Sequence, residues 1–317
     1  MRVVFAGTPA TALPTLEALL TSTHAVAAVI TRPDAKSGRG QQMAASPVAA
    51  RAEEAGVEVL RPERAADPAF LARLRQIGPD CCPVTAYGAL IPQAALDIPV
   101  HGWVNLHFSV LPAWRGAAPV QHAILHGDDV TGATTFRLVP ELDAGPVFGV
   151  LTEAIRPSDT AGDLLARLAV TGADLMVATL DGIESGELEA REQPSAGVSR
   201  APKITPADAK INWHHPAVAI SRLIRACTPE PGAWTELDGV RIKVWPVTPR
   251  GAIDGHSGAD VSPLAPGELR TQRDRVLVGT ATVPVELGDV QQHGKRQMPA
   301  ADWARGLRQG SQPAVLG

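Results

Sequence analysis

The sequence predicts an α/β fold: a Rossmann-like, mostly parallel sheet with helices on both faces, followed by a small C-terminal OB-like β-barrel. Three observations predict it. Short apolar runs alternate with helical patterns through the first half, a Pro/Gly/Ser stretch at 193–202 interrupts that rhythm, and short β-type runs separated by turn residues follow it. The expected boundaries are 1–189 for the first domain, 190–203 for a linker and 204–317 for the second.

Residues 2–6 are an apolar strand that stops at Gly7-Thr8-Pro9, and Leu13, Leu16, Leu19 and Leu20 then recur on one helical face. A second strand is expected at 25–31, a loop at 32–40, a helix at 47–55, a strand at 57–60, a helix at 67–76 and an apolar strand at 82–86. Pro83 interrupts that last run, which predicts an edge position or a bulge. Strands alternating with helices imply right-handed crossovers between parallel strands. A dinucleotide fingerprint needs three glycines so that the backbone can approach a pyrophosphate, and Gly7-Thr8-Pro9-Ala10-Thr11-Ala12 has one. NAD is therefore not expected. Beyond the linker, a helix is expected at 215–227 and strands at 233–237, 240–247, 275–278 and 282–287, with the Gly/Pro-rich run 249–267 among the turns.

Hydrophobic residues make up 45% of the 317 and charged residues 20%, the balance of a globular chain with a real core. No stretch approaches the roughly 18 apolar residues of a membrane span. The opening MRVVFAGTP has no basic region followed by an apolar stretch and a cleavage site, so a cytoplasmic chain is expected. Cys81, Cys82 and Cys227 show neither a CxxC pair nor a Cys/His ligand spacing, which excludes a disulfide framework or zinc site and leaves small buried thiols. Net charge is −4, but it is unevenly spread. Residues 1–203 carry 16 Lys and Arg against 22 Asp and Glu, whereas residues 204–317 carry 13 against 11. Bases cluster in the second half at Arg222/Arg225, Arg241/Lys243, Arg270/Arg273/Arg275 and Lys295/Arg296, which points to an acidic partner such as a phosphate backbone or simply to a solvated face.

The densest stretch is NLHFSVLPAWRGAAP at 105–119. On a strand at 103–108, Asn105 and His107 share one face and Val104, Leu106 and Phe108 the other. A polar pair just before a Pro/Gly loop is what the mouth of an α/β sheet presents to a ligand. The same pair could equally satisfy loop backbone groups. Asp143 sits in a tight loop between Pro140 and Gly145-Pro146, where an Asp most often caps its own backbone.

Together with the FAGTP opening, TRPDAKSGRG followed by SPV, AYG at 86–88, LDAGP, APKITPADAKINW, RACTPEPGAW and GDVQQHGKRQM, these segments resemble the methionyl-tRNA formyltransferases, a branch of the folate-dependent formyltransferases, almost end to end. The resemblance implies transfer of a formyl group from 10-formyltetrahydrofolate, as co-substrate and without a metal, to the amino group of methionyl initiator tRNA. It implies a catalytic trio of Asn105, His107 and Asp143. It implies folate contacts at Ser109, Val110, Leu111 and Pro112, with Tyr87 and Gly88 on the pocket wall. It places Arg32, Lys36 and Arg39 against the tRNA and makes the second domain tRNA-binding. A monomer is expected.

The chemistry agrees with those residue types. Amine attack on an N-formyl group builds a tetrahedral oxyanion, for which the Asn105 amide and an N–H of His107 would be donors. Asp143 would favour a charged imidazolium at His107 and receive the amine's proton. An α-amino group titrates at about 7.7–8.0, so no Ser or Cys nucleophile is needed. Glu141 and Ala144 depart from the family pattern on either side of Asp143. The competing readings are the same folate chemistry on an amino sugar nucleotide or a purine precursor, and a non-catalytic RNA-binding protein whose barrel does the binding.

Overall fold

The computed structural model describes residues 1–37, 42–250, 264–307 and 314–317. They form two compact units: Met1–Pro119 with Val130–Ala154 and Leu165–Ala201, and Val120–Asp129 with Ile155–Leu164 and Pro202–Gly317.

The first unit is built on strands β1 (Arg2–Gly7), β2 (Ala25–Ile30), β5 (Glu58–Leu60), β6 (Cys82–Thr85) and β7 (Trp103–His107), with β8 (Val130–Arg137) and β9 (Val147–Ala154). A short pair, β3 (Ala35–Ser37) and β4 (Gln42–Ala44), stands apart. The seven-stranded order is β5-β2-β1-β6-β7-β8-β9. Its first five strands run parallel, and β8 and β9 add antiparallel pairs at one edge. Helices α1 (Leu13–Thr21), α2 (Pro47–Glu54), α3 (Pro68–Ile77) and α4 (Gln93–Leu96) supply the crossovers. The mostly parallel sheet expected from the alternation is what forms.

Local chemistry explains the helix ends. Ser46 accepts from the Ala49 N–H at 3.0 Å and Pro47 occupies the first turn of α2, so a donor that would be orphaned is capped or absent. Helix α3 stops where Gly78 takes φ +62°, the left-handed conformation that ends helices without a Cβ penalty. Along β1, Val4 and Ala6 pack with Phe70, Leu74 and Ile77 of α3, so Val3 and Phe5 face the opposite side by alternation. All four are fully buried.

Pro83 corrects one expectation. It lies on β6, an interior strand between β1 and β7, and not at an edge. The sheet accommodates the missing donor because Pro83 falls between the Val3–Cys81 bridge and the Ala6–Val84 pair, in a gap of the β1–β6 ladder.

Helix α5 (Pro119–His126) and the 25-residue helix α6 (Ala161–Ser185) complete the first half of the chain. Leu106 packs so close to α6 that a Cβ on Gly172 would stand 2.9 Å from it.

In the second unit, α7 (Ala217–Ala226) buries Ala217, Ile220 and Ile224 on one face. It packs into a core with Trp213, Val276, Val278, Val285, Val290 and Trp303. Around that core are β10 (Trp234–Leu237), β11 (Val240–Val244), β12 (Thr248–Pro249), β13 (Leu269–Thr271), β14 (Val276–Val278), β15 (Val285–Glu286), β16 (Asp289–Gln292), β17 (Met298–Pro299) and the short helix α8 (Ala300–Arg305). They form two antiparallel four-stranded sheets, β10-β11-β16-β17 and β12-β15-β14-β13. Asp238 and Gly239 make the β10–β11 turn with φ +51° and +76°, the double left-handed geometry that tight hairpins require. No helix among the described residues is long and apolar enough to cross a membrane.

Candidate active site

Strand β7 carries two of the candidate residues. It pairs Cys82 with Trp103 and Val84 with Asn105 on the β6 side, and Asn105 with Phe136 and His107 with Thr134 on the β8 side. A strand laddered on both edges holds Cα positions firmly, so Asn105 and His107 sit two residues apart on one face with little backbone freedom. The Trp103 indole donates to the Ala95 carbonyl at 2.8 Å and fixes the start of that face.

Beyond His107 the chain turns sharply, and Thr134 of β8 pins the turn. Its hydroxyl donates to the Ser109 carbonyl at 2.7 Å and accepts from the Leu111 N–H at 3.1 Å. The Ser109 hydroxyl donates to the Ala113 carbonyl at 2.6 Å. The turn brings the Trp114 carbonyl to 2.9 Å from His107 Nε2. A carbonyl only accepts, so Nε2 carries the proton, and in the neutral ring Nδ1 keeps a lone pair.

That Nδ1 faces Asp143 Oδ2 at 3.8 Å. Asp143 is nearly buried and adopts φ +50°, a conformation uncommon outside glycine. Its Oδ2 accepts from the Gly116 N–H at 2.8 Å. The pair therefore presents two acceptors to one small space, which a single proton or an amine N–H would satisfy.

Burial pushes the His107 imidazole below its ordinary value of 6.5, and the Asp143 charge and the Trp114 carbonyl oppose this only in part. Two expectations change with it. The carboxylate does favour the imidazolium, but desolvation is the larger effect, so the ring is neutral near pH 7. A neutral His107 also has no spare N–H for an oxyanion, because its one N–H is spent on Trp114; Nδ1 becomes a donor only after taking a proton.

Asn105, His107 and Asp143 line one cavity of about 570 Å³, the size of small-molecule sites in general. Its remaining wall is largely apolar and includes Tyr87, Gly88, Leu90, Ile91, Leu138 and Leu142. Leu90 is 84% exposed and Leu142 50%, so the wall offers bare apolar surface that a flat ring system would cover. Burial raises the Tyr87 phenol, whose hydroxyl is among the buried polar atoms with no hydrogen-bond partner.

Ser109, Val110, Leu111 and Pro112 are absent from the cavity lining; Ser109 is fully buried with its hydroxyl turned to Ala113, and Leu111 is buried as well. Arg32 reaches the Glu63 carbonyl at 3.3 Å. Lys36 lies on β3 opposite Met43, and Arg39 lies outside the described residues.

Several contributors have no local signature in the sequence: Thr134, the Gly116 N–H, and a carboxamide at Gln193 that reaches the Asp143 loop. Burial raises the Cys81 thiol to about 12 and Cys227 to about 11, so neither supplies a thiolate at neutral pH. Among the described residues, one group with metal-ligand spacing, His24, Asp181 and Glu184, lies apart from the residues lining this cavity.

The formyl transferase family profile matches residues 1–180, and that of the formyl transferase C-terminal domain matches residues 203–308. A methionyl-tRNA formyltransferase of Thermobifida fusca (strain YX) is 65% identical over 311 residues, covering 98% of this chain and 97% of that protein. The chain belongs to the methionyl-tRNA formyltransferase family. Solved structures agree on the fold. HypX from Aquifex aeolicus, determined in complex with tetrahydrofolic acid, matches with TM-score 0.64 at 17% identity. The match covers 99% of this chain and 50% of HypX, so the chain spans about half the length of that protein. An N-formyltransferase from Helicobacter canadensis, in complex with folinic acid and dTDP-3-aminofucose, matches with TM-score 0.63 at 17% identity over 92% of this chain and 100% of that one. As a family member the chain is a formyl transferase, and its cavity is where the chemistry of that family has to be sought.

Proposed function

We propose that the chain transfers the formyl group of 10-formyltetrahydrofolate to the α-amino group of methionyl initiator tRNA, at the cavity formed by Asn105, His107 and Asp143. One observation carries the reading: a neutral, buried imidazole and a carboxylate, 3.8 Å apart, turn two acceptors toward a space beside the Asn105 side chain.

The amine nitrogen attacks the formyl carbon, and the C=O pair moves to oxygen. The Asn105 amide donates to that oxyanion. The amine's proton passes to the His107–Asp143 pair, where either Oδ2 or Nδ1 takes it. Protonated Nδ1–H then adds a second donor. Collapse breaks the bond from the formyl carbon to the folate nitrogen, which leaves with a proton returned from the pair. The apolar wall with Tyr87, Gly88, Leu90 and Leu142 suits a pterin, and Ser109–Pro112 act on it by shaping the turn after β7.

The tRNA is met by Arg32, Lys36 and Arg39 and by the second domain. In the second unit Arg241 stacks over the Trp234 ring at 4.1 Å and Lys210 lies 5.2 Å from it, a platform of cations and an aromatic face suited to nucleic acid. This reading places the catalytic domain at 1–189, the linker at 190–203 and the tRNA-binding domain at 204–317, in a monomer working in the cytoplasm.

The test is transfer of radiolabelled formyl from 10-formyltetrahydrofolate to methionine-charged initiator tRNA, beside a His107→Ala control. Label on the tRNA that disappears in the control supports the reaction and its site. Transfer to an amino sugar nucleotide instead would keep the chemistry and overturn the acceptor.

A further inference from the structure

The segment 191–201 is rich in Pro, Gly and Ser and largely exposed, yet it is stitched to the catalytic cavity along its length. Arg191 exchanges two backbone hydrogen bonds with Val147 at 2.7 and 2.8 Å. The Ser199 carbonyl accepts from the Arg115 N–H at 2.9 Å, and its hydroxyl accepts from the Trp114 N–H at 2.8 Å. The Ala201 N–H donates back to the Arg115 carbonyl at 2.8 Å. A Cβ at Gly116 would stand 2.5 Å from the Ala201 carbonyl oxygen, so chain and turn are in direct contact.

Between these ties lies Gln193, whose side chain turns inward. Its Nε2 donates to the carbonyls of Asp143 at 2.9 Å and Gly145 at 2.8 Å. Its Oε1 accepts from the Arg115 guanidinium, Nη2 at 2.8 Å and Nε at 3.2 Å. The orientation of the amide is fixed by chemistry, because carbonyls only accept and a guanidinium only donates. Both donors and both acceptor sites are occupied.

We propose that Gln193 is a positioning residue for formyl transfer, tying the Asp143 loop to Arg115 so that the carboxylate stays opposite His107. The two sides of the proton-accepting pair depend on neighbouring backbone groups: His107 on the Trp114 carbonyl and Asp143 on the Gly116 N–H. Arg115 lies between those two groups, and Gln193 joins it to the loop that carries Asp143. The left-handed backbone at Asp143 needs outside support of this kind.

The inference rests on the function proposed above, and its test separates the two. Gln193→Ala removes every contact. Gln193→Glu keeps the size and the acceptor for Arg115 but removes both N–H donors. Ser195→Ala, exposed in the same segment, is the control. The measurements on the full chain are kcat and KM for donor and tRNA, and the titration of His107 ring signals by NMR. Both Gln193 variants should lose roughly 10–100-fold in kcat, the scale of orienting residues that act through another group, with KM within about threefold. The His107 midpoint should fall in Gln193→Ala, because Asp143 no longer holds it up.

Wild-type kcat and an unmoved His107 midpoint in Gln193→Ala would overturn the proposal. So would full activity in Gln193→Glu beside a loss in Gln193→Ala, since Gln193 would then serve only to anchor Arg115. Failure of the wild-type chain to formylate any methionyl-tRNA would remove the proposed function instead, and the His107 titration would still decide the part played by Gln193.

Discussion

The two sides of the cavity are held in place by different means. Asn105 and His107 ride on β7, whose backbone is hydrogen-bonded to β6 and β8. Asp143 rides on a loop with a left-handed backbone, and among the ties that fix it are a backbone amide to its own side chain and a carboxamide from fifty residues away. On the strand, position comes from the ladder, and a side chain can be cut without moving its neighbours. On the loop, position comes from individual polar contacts, each of which can be removed from a distance. Side-chain truncations on β7 should therefore affect chemistry alone, whereas changes around the loop should mix chemistry with stability.

The largest effect expected is from Asp143→Asn, which keeps an oxygen for the Gly116 N–H but removes the charge. Its kcat should fall roughly 10²–10⁴-fold, the range for loss of a positioned acid–base group, and turnover near wild type in steady-state assays would break the assignment. Asn105→Ala comes next, with a loss of roughly 10²–10³ in kcat, the scale of one oxyanion donor. Its thermal midpoint should match wild type because the ladder is backbone; a large drop would mean that the side chain supports the strand.

Gly116→Ala sharpens the contrast from the loop side. Gly116 has φ +130° and no room for a Cβ against Ala201, so the substitution should cost about 1–3 kcal/mol of stability and lower kcat together. Denaturant midpoints and kcat measured on the same sample would show whether the two losses travel together. The pH dependence is a subtler probe. Transfer needs neutral His107, whose fraction grows as pH rises through a midpoint below 6.5, so kcat/KM should have an acid limb beneath that value. In Asp143→Asn the limb should move to lower pH, because the carboxylate was opposing the effect of burial; a shift upward would contradict the electrostatics. The smallest effect belongs to Arg39→Ala, which should raise KM for tRNA a few-fold and leave donor KM unchanged.

Much of this was legible from the chain because the two periodicities are strong where the sheet is parallel. Strands β1, β2, β6 and β7 are short apolar runs, and α1 to α3 show helical spacing. Strand β8 was not legible: VTGATTFR buries six successive residues, but three are threonines, one is glycine and one alanine, so no apolar run announces it. Asn105 and His107 could be paired from their spacing. Asp143 could not, because a lone Asp in a turn has no signature for a partner thirty-six positions earlier. That Ser109–Pro112 stand outside the cavity lining could not be read from the chain, since a loop sequence does not say which side chains turn inward. Gln193 and Ser199 were hidden for the opposite reason: Pro, Gly and Ser around them signal a free connector, and a side chain bonding to remote backbone leaves no local pattern.

The stitching of 191–201 also bears on how the protein can be taken apart. A fragment cut at residue 189, where the composition changes, would leave the Asp143 and Gly145 carbonyls and the Trp114 amide without their partners. A cut after Ala201 would keep them. Any exchange of the second unit has to keep 191–201 with the Asp143 loop, and has to account for Val120–Asp129 and Ile155–Leu164, which group with the second unit and not the first.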